Sequence, residues 1–191
     1  MGPGCRIFPV LIVAALWLGV WLTGGSAQAQ QAGAMLFGAR DFEMDWVQAG
    51  NGQLLRLRYL SARRILRIEA LDGSEQVMLR DLEKGDVLIL VAEGKRGVFG
   101  HRVQPMRGLS FVPGEVVRSI AGEDCRETTL SGLTLCLSDD LIPLVVNDRG
   151  QEFIAQRLLR QAQNPALFTV PKDTKIQPLP GNSGPLPGIP F

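Results

Sequence analysis

Three cysteines and a single histidine are the residues through which this 191-residue chain could do covalent or metal chemistry. Cys125 and Cys136 lie symmetrically about Leu130-Ser131. A hairpin looping through Thr129-Leu130-Ser131-Gly132 would set them opposite each other. Opposed strand residues carry Cβ atoms ~4.5–5.5 Å apart, near what a disulfide needs. Such a bridge stabilises a fold by roughly 3 kcal/mol through the unfolded chain. A metal centre would need more ligands than His101 supplies, and a redox pair usually reads C-x-x-C. The pair is expected to be a structural disulfide.

His101 follows Gly97-Val98-Phe99-Gly100 and has no acidic neighbour, and no G-x-S-x-G elbow occurs in the chain. It is expected to be a strand or core-edge residue. Asp124, Asp139 and Asp140 lack the ligand spacing of a calcium loop and read as turn residues. No catalytic residue, metal or cofactor is expected, and the chain is not expected to be an enzyme. The most basic cluster is Arg56, Arg58, Arg63, Arg64 and Arg67, interleaved with Glu69 and Asp72. It reads as a solvated outer face, within which Arg56, Arg58, Arg64 and Arg67 form a candidate patch for an anionic lipid headgroup or an acidic partner. The whole chain has 20 basic and 19 acidic residues, which excludes nucleic-acid binding through bulk charge.

The elements that would position these groups are strands. Phe42, Met44 and Trp46 alternate with Asp41, Glu43 and Asp45; Leu55, Leu57 and Tyr59 with Arg56 and Arg58; Leu66 and Ile68 with Arg67 and Glu69. Val77 and Leu79 follow the same rule, and Asn51-Gly52 and Asp72-Gly73 mark turns between runs. Val87–Val91 is apolar throughout, as in a strand covered on both faces. Strands at this spacing describe an antiparallel meander. Gln104–Gly114, with Pro105 and Pro113, reads as a long connection. Further strands are expected at Val116–Ile120, in the cysteine hairpin and at Leu141–Val146. The segment 153–161 fits either a helix face or a strand, and a strand is the preferred reading.

Both ends read as something other than the folded domain. Arg6 and the apolar run Ile7–Leu22 lead to Ala27-Gln28-Ala29, the small-residue pattern of a signal peptidase site, so cleavage is expected after Ala29. The run falls short of the ~20 residues of a membrane-spanning helix. No cysteine lies near the cleavage point, Cys5 preceding the run, so a lipid anchor is not expected, and the mature chain is expected to be soluble in the periplasm without stable membrane insertion. Residues 30–37 would be a lead into a sheet domain over 38–175. From Ile176 the chain carries Pro-Leu-Pro-Gly twice, and 176–191 is expected to be an extended, disordered arm outside the sheet.

Several segments together resemble a family of exported bacterial domains of unknown function. The family's shape is that of the outer-membrane lipoprotein carriers (the LolA-like fold) and of the RseB-like N-terminal domain. The matching stretches are Tyr59–Glu69, Met78–Leu82, Ile120–Cys125 answered by Cys136, Leu141-Ile142-Pro143-Leu144 and Asn164–Pro171, spread over residues 38–172. The resemblance implies a mainly β fold with few or short helices: a strongly curved antiparallel sheet, an incomplete barrel with an apolar concave side. Phe42, Met44, Trp46, Leu55, Leu57, Tyr59, Leu66, Ile68, Val77 and Leu79 would line that side, which is filled by the chain itself or by a guest. The function this implies is a periplasmic binding protein holding a lipid, acyl chain or lipoprotein. The alternative is an interaction or sensing module of the cell envelope with a protein partner and no small ligand.

Overall fold

The computed structural model of the chain describes residues 36–91, 94–99, 112 and 114–178. Within them lie twelve strands: β1 (Phe42–Gln48), β2 (Leu54–Leu60), β3 (Ile65–Ala70), β4 (Val77–Asp81), β5 (Val87–Val91), β6 (Arg96–Phe99), β7 (Val117–Ile120), β8 (Glu123–Leu130), β9 (Leu133–Ser138), β10 (Pro143–Asp148), β11 (Gln151–Leu159) and β12 (Lys175–Pro178). They form one open sheet in the order β12-β6-β5-β4-β3-β2-β1-β11-β10-β9-β8-β7. Two meanders, β1–β6 and β7–β11, are therefore stitched together where β1 pairs with β11. Every pairing is antiparallel except β6 with β12.

Short hairpins impose this order. Ala121-Gly122, Ser131-Gly132 and Arg149-Gly150 each join neighbouring strands, and all six residues have positive φ. That is the backbone of a two-residue turn whose twist matches the strands it connects. The segment 153–161 is strand through Leu159, as expected. The few helical residues are single 3-10 turns at Ser61–Arg63 and Pro165–Phe168, the latter capped by the Asn164 side chain.

The sheet bends around its own apolar side chains. Cross-strand rows Phe42–Tyr59–Leu66, Met44–Leu57–Ile68 and Trp46–Leu55 share one core with Leu135, Leu144, Val146 and Phe153 from the second meander. Burying a large side chain of this kind contributes ~1.5–3 kcal/mol. Arg160, just past β11, shows the curl directly. Three strand spacings separate β11 from β8, about 14 Å in a flat sheet, yet its guanidinium donates to both oxygens of Glu123 on β8, at 2.7 and 3.0 Å.

Four expectations are corrected. Cys125 and Cys136 are bonded, with Cα atoms 5.3 Å apart, but they are diagonal rather than directly opposed: Cys125 pairs with Ser138 and Cys136 with Glu127. The turn centres on Ser131-Gly132 because Gly132 takes its second left-handed position, which moves the turn by one residue and the pairing by two. Val77 and Leu79 lie across from Glu69 and Arg67, on the outer face, while Met78 and Arg80 take the inner one. Leu36 and Phe37 belong to the domain and are fully buried, with Phe37 N–H donating to the Leu141 carbonyl at 2.9 Å. Ile176–Pro178 joins the sheet as part of β12. A proline is tolerated there because it ends an edge strand.

The leader, His101, residues 104–111 and 179–191 lie outside the described residues.

Candidate functional site

The sequence assigns any ligand to the inner face. Phe42, Met44, Trp46, Leu57 and Leu66 on that face have no solvent exposure, and Leu55, Tyr59 and Ile68 almost none. What covers them is protein. Phe37, delivered by the segment before β1, completes a cluster with Phe42 and Tyr59 whose ring centroids are 5.5 to 6.1 Å apart. Trp46 meets Phe153 at 5.9 Å. These distances suit offset aromatic contacts. The eight inner residues are thus core of the second meander as much as of the first. Arg80 is an inward residue that alternation alone does not reveal. It sits across from Leu66 and Val87, is 2% exposed, and burial pulls its pKa down to about 10, so it keeps its charge at neutral pH.

The outer face of β1, β2, β3 and β11 is a ladder of paired charges. Arg56 Nε donates to Asp45 at 2.8 Å, Arg58 Nε to Glu43 at 2.8 Å, and Arg58 also reaches Glu69. Arg67 Nε donates to Glu69 at 2.6 Å. Arg157, from the far end of the chain, donates to Asp45 at 2.9 Å and Glu43 at 2.6 Å. Burial would raise the Glu43 and Asp45 carboxyls, but hydrogen bonds from these arginines outweigh it and hold both below their ordinary range. Arg64 stands apart, 3.2 Å from Glu83. All four arginines of the candidate anion patch therefore have carboxylate partners within the chain. Sequence reading saw Glu69 but not Arg157 or the acids of β1, because the partners belong to strands that meet only after folding.

Asp41 is a second polar tie. It accepts from Ser61 N–H at 2.8 Å, Ser61 Oγ at 2.6 Å and Gln163 N–H at 3.0 Å. Burial works to raise its pKa, and these bonds bring it below the ordinary value. Beside it is a depression of about 430 Å3 lined by Gly38, Ala39, Tyr59, Ser61, Ala62 and Arg64. The Ser61 and Arg64 side chains in its wall are committed to Asp41 and Glu83. Asp140 is held by Arg160 and Ser138. Among the described residues no group of three or more His, Cys, Asp or Glu side chains could hold a metal ion.

The described sheet also ends in an unpaired edge. β7 ends the sheet and has no second neighbour among the described strands. Val116, just before the strand, and Val117, on it, are 56% and 50% exposed. Arg118, the one charge on the strand, is 3.3 Å from Glu127 of β8.

No family model matches the chain, and no curated protein matches it. Among solved structures it is similar to an uncharacterized conserved protein from Thermus thermophilus, with 17% identity and a TM-score of 0.50 over 73% of this chain and 91% of that one. It is also similar to PNGF-II in two crystal forms, at 11% and 12% identity with TM-scores of 0.49 and 0.47, over 73% of this chain. The chain spans only about a third (31% and 32%) of the PNGF-II chains. The likeness to the Thermus protein is one of fold alone.

Proposed function

We propose that this chain is an exported, non-enzymatic binding protein of the cell envelope whose partner is a protein or lipoprotein segment that adds to the β7 edge. The carrying observation is the pairing of a buried inner face on β1–β3 with an edge strand whose Val117, like Val116 just before it, is half-exposed. An edge strand is a template for another chain, and proteins usually blunt it with lysine, proline or a covering element. Here the only charge on β7 is drawn back to Glu127. Strand addition takes its affinity from main-chain hydrogen bonds and its selectivity from side chains on alternate positions. The export leader and the Cys125–Cys136 bridge support an oxidising compartment, and the resemblance to the lipoprotein-carrier shape supports an envelope role.

A lipid or acyl guest is the second reading. It is favoured by the inner row at β4–β6, where Met78 and Val98 are only half-buried.

A photocrosslinking residue placed at Val117, and separately at Arg149 on an exposed turn, separates the two in cells. A single adduct of defined mass from position 117 and none from 149 supports the edge reading. Equal adducts from both sites, or stoichiometric acyl chains in native mass spectra of gently purified protein, overturn it.

A further inference from the structure

The opposite edge of the sheet, β6, is occupied by the chain itself, and the way it is occupied describes a ligand. After β11 the chain crosses the outer face as a strap. Gln163 N–H bonds Asp41, the Leu167 carbonyl accepts from Arg67 at 2.6 Å, and Phe168 is 1% exposed. Those anchors all precede β12. The residues beyond Phe168 are lightly held. Pro171 passes over Gly94, where a Cβ would come 2.9 Å from its ring. Thr174 Oγ donates to the Gly94 carbonyl at 2.6 Å, and Lys175 N–H donates to the Lys95 carbonyl at 3.1 Å. Ile176 then lies opposite Gly97, whose Cβ would stand 3.3 Å from Ile176 and 3.2 Å from Thr174. Two glycines thus clear the surface along which this segment runs.

The fit is local but the burial is slight. Lys175 and Gln177 are exposed, and Ile176 is 51% exposed. Four residues in a parallel pairing, the less stable kind per residue, with little apolar area covered, belong to the low-stability end of a structure. Because the strap is fixed at 163–168, β12 can lift away without unravelling it.

We infer that β12 is a built-in stand-in for an exchangeable ligand, and that the β6 edge receives an extended segment of a partner protein, parallel to β6. The segment is one with a hydroxyl residue two positions before a β-branched one, as in Thr174-Lys175-Ile176. The hydroxyl meets the Gly94 carbonyl, the next N–H meets the Lys95 carbonyl, and the β-branched side chain rests over Gly97. Held on its own strap, β12 competes at the millimolar effective concentration typical of a short tether, so a free segment gains access only when β12 is released. This surface lies at the other end of the sheet from β7 and its test is independent of that reading.

The test uses the full chain and a fluorescent peptide with the sequence of residues 171–178, Pro-Lys-Asp-Thr-Lys-Ile-Gln-Pro. Lys175→Pro removes the donor that bonds Lys95 and frees the edge. The variant should bind the peptide at least tenfold more tightly than the unaltered chain does, and a peptide with Asp in place of Ile should lose that binding. Equal affinity for variant and unaltered chain, or indifference to the Ile-to-Asp change, overturns the inference. In the unaltered protein the amides of Lys175 and Gln177 should exchange with deuterium at least tenfold faster than those of β5. Equal protection overturns it without any substitution. Dimers of the unaltered chain that dissociate on Lys175→Pro would assign the edge to a second copy and overturn the partner reading.

Discussion

Gly38 runs so close to the β9–β10 turn that a Cβ built on it would collide with the Asp140 carbonyl oxygen. Its φ of 63° also lies in the left-handed region that side chains resist. The approach is what lets Phe37 enter the core, with its N–H on the Leu141 carbonyl. Gly38→Ala should therefore cost about 2–4 kcal/mol, combining backbone strain with an overpacked contact. Gly50, at φ 96° with nothing near its would-be Cβ, isolates the strain alone. Gly50→Ala should cost about 1 kcal/mol. Urea denaturation of both variants measures the difference, and equal losses would refute the tight approach.

Removing the bridge acts through the unfolded state. Cys136→Ser leaves a small polar side chain where the buried sulfur stood, and should lower stability by about 3 kcal/mol. The same loss should appear when the unaltered protein is unfolded under reducing conditions. A midpoint indifferent to reductant would mean that the bond does not form in solution.

Acid should loosen the sheet at its seam. Glu43, Asp45, Asp41 and Asp140 all feel burial raising their pKa and hydrogen bonds lowering it further, with a net fall below ordinary values of 4.5 for Glu43 and 3.8 for the aspartates. Each carboxyl thus binds its proton less readily folded than unfolded. The stability this lends is full above the ordinary values and drains away as pH falls through the lowered ones. Denaturation midpoints should be flat from about pH 7 to 5 and drop below about pH 4. Two of these acids meet Arg157 across the β1–β11 join, so Arg157→Gln should make the acid-side drop shallower. An unchanged profile in that variant would show that the join contributes nothing to it.

The strands and turns were legible because alternation and X-Gly pairs act over a few residues. Which side a strand presents was legible where one side is apolar and the other charged, as in β1, β2 and β3. Between Ala70 and Val77 the bend Leu71–Gln76 resets the alternation, and β4 is apolar on both sides, so the pattern Val77-x-Leu79 identifies a strand without orienting it. Leu79 is buried on the outer face, beside the path of a strap some ninety residues later in the chain, at about 167. The same remoteness hid the partners of Arg56, Arg58 and Arg67, and the role of Leu36 and Phe37. Strand β12 was hidden for a different reason: prolines mark what cannot sit inside a sheet, and four residues at its edge are exempt.

Met44 separates a core from a ligand groove. It has no solvent exposure, lies across from Leu57 on β2, and shares the cluster that joins both meanders. If the inner face were a groove for an apolar guest, Met44→Ala would enlarge it, alter what is bound and leave the empty protein nearly as stable. As core, the truncation loses burial and leaves a cavity that neighbours in a close-packed interior fill only partly, a cost of about 2–5 kcal/mol. Chemical denaturation of delipidated Met44→Ala against delipidated unaltered protein reads this directly. A loss in that range identifies Met44 as core, and a loss under about 0.5 kcal/mol with a gain in acyl-chain uptake would return the inner face to a guest.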